Sequence, residues 1–130
     1  MKITILIEGE PDIKPFTKVF HYSKENEFIF FDSIKIIKNK IARNLKLNIN
    51  ETLAFFAASV CILLRDRKTA TEIQEIMSGL LLSHQVLIGV PELMRKLTFD
   101  VNLDELPECT IVILHPISNQ YSMRTSNPVM

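Results

Sequence analysis

Three histidines, His21, His84 and His115, and two cysteines, Cys61 and Cys109, are the side chains here best suited to hold a metal ion or move a proton. Their spacing supports neither use. No two imidazoles stand four residues apart, the separation that puts both on one helix face, and no Cys–Cys or His–His pair has zinc spacing. A nucleophile needs a base within hydrogen-bond reach and a third group to orient that base. No Gly-x-Ser-x-Gly turn is present, and three glycines in the whole chain are too few for a phosphate-cradling loop. Glu8, Glu10 and Asp12 form a small acidic cluster that reads as a solvated loop. Arg65 and Asp66 are placed to cap neighbouring helix ends or to bridge to a partner; as a plain surface pair they would contribute little. Cys61, inside the apolar run SVCILL, reads as a small buried hydrophobe. His84 follows Ser83 in a solvated first turn, and His115 precedes Pro116, where it orients the chain exit. No catalytic, metal-binding or cofactor-binding residue is therefore expected in this chain.

The elements that carry these residues are read from caps and periodicity. Ser23 is a candidate N-cap, with Glu25 and Glu27 in the first turns where the helix dipole favours negative charge. Phe28, Phe31, Ile34, Ile37 and Ile41 then form one apolar stripe, widened by Phe30 and Ile36. The run FIFF would also suit a strand. Lys38, Lys40 and Arg43 sit in the last turns, and Asn44 can take the left-handed conformation that ends a helix. After a turn at Leu45–Leu47, Asn48 and Glu51 match a capping box. The helix they open is apolar on nearly every side up to Arg65, which marks it as central. Thr69 and Glu72 repeat the box in the form T-x-x-E before a short third helix ending at Ser78 and Gly79. Ser83 is a candidate cap for one or two more helical turns, and Pro91–Met94 suits a further turn.

Residues 2–8, KITILIE, are β-branched and read as a short strand. Residues 9–20 contain Pro11 and Pro15 and are expected to form an irregular connector. Leu97, Phe99, Val101 and Leu103 alternate with polar residues, and 110–114 is a continuous apolar strand. The two strands make an antiparallel hairpin around Pro107 that must pack on the helices or on another chain, since a lone hairpin is marginal in water. Residues 118–130 lack any pattern and are expected to be a flexible tail. The fold class expected is α+β: a bundle of three main helices with short turns, then a C-terminal antiparallel hairpin, with an additional N-terminal strand. Residues 1–20 are an N-terminal extension and 21–117 the domain.

Composition narrows the functional classes. The chain has 130 residues and 47% hydrophobic content, enough for one domain with a core. Fifteen basic residues balance fifteen acidic ones, so the positive field a nucleic-acid binder needs is missing. No window reaches the ~20 apolar residues that span a bilayer. The opening MKITILIEGEPD suits a strand better than a signal peptide, which points to the cytoplasm. A central helix apolar all round and a hairpin that needs cover together suggest an oligomer interface.

Four blocks in order carry a family likeness. Ala42–Asn48 reads A-R-N-L-K-L-N with Glu51 three residues on; Arg65–Thr69 reads R-D-R-K-T; Gly89–Met94 reads G-V-P-E-L-M; and Leu106–Thr110 is followed by His115, Pro116 and Ile117. Together they resemble the urease gamma subunit over about residues 21–117. The resemblance implies a structural subunit of a complex that hydrolyses urea to ammonia and carbamate or CO2. It also implies that the two-nickel centre and its ligands lie on the alpha subunit, and that beta and alpha subunits are the partners in a trimeric assembly. The candidate contact residues it supplies are Arg43, Lys46, Asn48, Glu51, Arg65 and Asp66, then Lys68, Thr69, Pro91, Glu92, His115 and Pro116. Family glycines are replaced by Asn44, Arg67 and Cys109; a positive φ at Arg67 or Cys109 would be strained, so those turns are expected to differ. A stand-alone helical interaction module built on the same fold, without urease activity, is the alternative.

Overall fold

Alternation along the first strand, β1 (Lys2–Glu8), sends Ile3, Ile5 and Ile7 to one face, where all three are fully buried. The computed structural model describes residues 1–21, 23, 27–104 and 106–118. Beyond the acidic turn the chain returns as β2 (Phe16–His21), paired antiparallel to β1. The segment expected to be irregular is thus irregular only as far as Pro15. Proline at the strand entrance does not interrupt pairing, because β2 begins after it.

Helix α1 (Glu27–Ala42) buries Ile34 and Ile37, with Phe31 and Ile41 at the margin of the core. FIFF is therefore helical. Ile36 is 65% exposed and does not widen the stripe: it lies two residues from Ile34, on the opposite side of the turn. The start expected at Ser23 and Glu25 falls on a stretch in which 24–26 lie outside the described residues. Helix α2 (Ile49–Arg65) is central as expected, with Phe55, Phe56, Ala57, Ala58, Val60 and Cys61 all buried. A fully buried Phe or Leu contributes roughly 1.5–3 kcal/mol, so this helix anchors the fold. Helix α3 (Ala70–Met77) buries only Ile73 and Met77.

A short strand β3 (Leu81–Leu82) leads into a 3-10 turn over Ser83–Gln85. Ser83 is the first residue of that turn, not its cap; the Leu82 N–H donates instead to Gln85 Oε1 at 2.8 Å. Helix α4 (Val90–Leu93) follows, then β4 (Lys96–Asn102), β5 (Cys109–Leu114) and β6 (Ile117–Ser118).

The expected C-terminal hairpin is β4–β5, but it is not alone. β1 pairs antiparallel with β4, giving a four-stranded sheet in the order β2-β1-β4-β5. Its inner face, Ile3, Ile5, Ile7, Leu97, Phe99, Val101, Ile111 and Ile113, joins the α2 side chains in one hydrophobic core. The fold is α+β, helices on one face of an antiparallel sheet, with a small parallel β3–β6 pair beside it. The flexible tail expected from residue 118 lies, beyond Ser118, outside the described residues.

Candidate assembly surface

The first motif block makes the α1–α2 junction. Asn44 takes φ +59, and two hydrogen bonds close the helix end: Leu45 N–H to Lys40 O at 2.8 Å and Asn44 N–H to Ile41 O at 3.0 Å. This pairing satisfies carbonyls that a helix end leaves free. Four residues on, the Asn48 side chain accepts from the Glu51 N–H at 2.8 Å, and Glu51 returns its carboxylate to the Asn48 N–H at 3.0 Å. Lys40 Nζ also donates to both oxygens of that carboxylate, at 2.8 and 2.7 Å, across the two helices. Burial pulls the Glu51 carboxyl upward, but the Lys40 hydrogen bond, the Asn48 amide and the Lys40 charge outweigh it and hold the group below its ordinary value.

The second block closes α2 in the same way as the first closes α1. Arg67 takes φ +64, with Arg67 N–H on Leu64 O at 3.0 Å and Lys68 N–H on Leu63 O at 3.1 Å. The turn is therefore kept with arginine in the left-handed position, at a cost of about 1 kcal/mol. Cys109 meets no such demand, because it is the first residue of β5 and has no positive φ. Arg65 turns inward: its Nη2 lies 3.2 Å from Met1 Sδ and its guanidinium 5.5 Å from the Phe31 ring centroid. Asp66, Lys68 and Thr69 are exposed, and Thr69 and Glu72 complete the second capping box.

The third block begins at Gly89, whose φ of +95 suits glycine before α4. Pro91 and Glu92 are half-buried, and the Glu92 carbonyl accepts the Glu10 N–H at 3.0 Å. Gly9 fits there only because it has no side chain; a Cβ would stand 2.4 Å from that same carbonyl oxygen. Arg95 pairs with Glu10 at 3.0 Å, so the segment after β1 is clamped on α4. In the fourth block His115, at φ +52, donates its N–H to Arg95 O at 2.9 Å and accepts from Gly79 N–H at 2.8 Å. Its side chain is exposed, whereas Pro116 is buried.

The first and fourth blocks thus reach the stretches that flank the third. Leu47 bridges to Val86, Lys46 Nζ donates to His84 O at 2.9 Å, and Arg95 joins His115. The second block stands at the far end of the 17-residue α2, about 25 Å from Asn48. Where the first block meets the 84–88 segment, the surface carries Leu45 at 43%, Leu87 at 45% and Ile88 at 100% exposure. Sequence reading missed these three. Ile88 stood next to a glycine that breaks helices, and the period of the run gave no sign that it points outward. Arg43 is exposed nearby. Among the described residues, no three His, Cys, Asp or Glu side chains gather to hold a metal ion, and no helix is long and apolar enough to cross a membrane.

The arrangement is one of helix ends and turns locked by local hydrogen bonds, with motif residues at the seams between elements. The family model described as urease, gamma subunit, matches residues 21–117. This chain belongs to the urease gamma-subunit family. The match begins at the last residue of β2, so the urease gamma region of this chain holds all the helices and the β4–β5 hairpin, while β1 lies before it. All four motif blocks fall inside it.

Proposed function

We propose that this chain is a non-catalytic structural subunit of a urease complex, working in the cytoplasm. Its partners are beta- and alpha-type chains in a trimeric assembly, and the nickel centre that hydrolyses urea to ammonia and carbamate lies on the alpha-type chain. The family match over residues 21–117 carries this reading. The geometry supports it, because the polar groups of the blocks serve backbone caps and the seams between elements. The exposed aliphatic group Leu45, Leu87 and Ile88, rimmed by Lys46 and Arg43, is the surface we assign to contact with another urease subunit.

Co-expression with the beta- and alpha-type chains tests the proposal. A ternary complex of defined mass that releases ammonia from urea is expected. The Leu87→Asp, Ile88→Asp double variant should fold normally, since both side chains are exposed, yet fail to enter the complex. Stoichiometric nickel binding by the isolated chain, read by calorimetry, would overturn the division of labour. Failure of the parent chain to co-purify with either partner would leave it a stand-alone module.

A further inference from the structure

We infer that Lys18 closes the free edge of the sheet to an additional strand, above all to β2 of a second copy of this chain. The four-stranded sheet ends on one side at β5, which is flanked by α3, and on the other at β2, with no strand beyond it among the described residues. A terminal strand presents unpaired N–H and C=O groups, and it recruits further strands unless something prevents it. β2 has the composition that invites recruitment: F-T-K-V-F is rich in aromatic and β-branched residues, and Phe16 and Val19 are 36% and 40% exposed. Lys18 is its one strong charge.

The position of that charge is what matters. Lys18 lies opposite Ile5, which is fully buried, so it shares the inner face with Phe16 and Phe20. It is half-buried, with Nζ 5.7 Å from the Phe20 ring centroid. Suppose a second copy added its β2 antiparallel about a twofold axis normal to the sheet. The register centred on the strand, which keeps both inner faces on one side, sets Lys18 against Lys18 of the other copy, and the registers next to it set Lys18 against Phe16 or Phe20. The first opposes like charges at pairing distance. The other two offer the ammonium a second ring contact of the kind it already has with Phe20, while taking it further from water with no carboxylate of β2 to pair it. Thr17 and Val19, on the outer face, impose no such barrier. An inward-facing charge on a terminal strand is a known way of keeping sheets from joining. It works here together with β1, which already fills the β4 edge from within the chain.

The test uses the full chain with Lys18→Met, which keeps the long stem and removes the charge, and Lys18→Arg as the control. Sedimentation velocity over a concentration series should show self-association of the Met variant tighter than that of the parent by about tenfold or more. The Arg variant should sediment like the parent. Amides of β2 should exchange more slowly in the associated Met variant. A Met variant with native circular dichroism that sediments like the parent at every concentration overturns the inference, as does association without protection of β2. A lower melting temperature without added mass also overturns it, leaving Lys18 a packing residue of Phe20. Should the Met variant not fold, Lys18→Thr is judged by the same criteria.

Discussion

Two helices of this molecule open with the same local device, and the two copies of it are not equivalent. Asn48–Glu51 starts α2 and Thr69–Glu72 starts α3, each with reciprocal hydrogen bonds between cap and third residue. At α3 the box is exposed and Glu72 serves the cap: the Thr69 amide and hydroxyl hold its carboxyl below the ordinary value. At α2 the carboxylate also takes both bonds of Lys40 from the end of α1, with side chains 23% and 29% exposed. One box sets where a helix begins. The other also fixes how two helices meet, and the residues that follow the α1 end, Leu45 to Leu47, are those that reach the 84–88 segment. A capping signal states local geometry, while its energetic weight depends on what the fold brings to the carboxylate.

Glu51 is the residue at which the two boxes differ most. Glu51→Ala should destabilise the chain by about 3 kcal/mol in urea unfolding, because it removes the cap and strands a half-buried ammonium. Glu72→Ala should lose clearly less. Equal losses would show that the Lys40 contact contributes nothing. A double-mutant cycle between Lys40→Met and Glu51→Gln isolates that contact, and a coupling of about 1–1.5 kcal/mol is expected. The same cycle between Lys68 and Glu72 should give a coupling near zero. Replacing the strained residue at the end of α2, Arg67→Gly, should raise stability by about 0.5–1 kcal/mol, since relief of the left-handed strain exceeds the added chain entropy. An unchanged or lower melting temperature would mean that the arginine side chain offsets its own strain.

The smallest expected effect is on pH dependence. Both carboxyls titrate below the ordinary glutamate value of 4.5 in the folded chain. The unfolded chain therefore binds more protons in that window, so stability is fully present above pH ~4.5 and is lost as pH falls through the folded values. Glu51→Gln should flatten the acid limb of the stability curve more than Glu72→Gln does, read from melting temperatures between about pH 3 and 6.

Much of this architecture was legible because its causes are local. Both capping boxes, the left-handed Asn44, the buried Cys61 and the strands β1, β4 and β5 follow from groups within a few residues of one another or from a clear period. β2 was not legible, since an end strand half-covered on its inner face keeps no clean alternation and here follows two prolines. Ile36 was misread because a helix stripe widened by two residues already reaches the solvent side. Arg67 was expected to avoid the left-handed region, and the turn kept it there because the two closing hydrogen bonds of α2 outweigh the strain.

The candidate surface shows where local causes end. Residue types alone determined the three main helices with the caps of α2 and α3, the strands β1, β4 and β5, the family resemblance and the lack of any reactive spacing, because these rest on hydrogen bonds and periods that span three to five residues. Tertiary structure alone decided that Lys40 meets Glu51 across 11 positions, Lys46 reaches His84 across 38, Arg65 turns to Met1 across 64 and Arg95 holds Glu10 across 85. No local period encodes those separations. They follow from burying α2 and the isoleucines of β1 in one core, which fixes every surface seam at once.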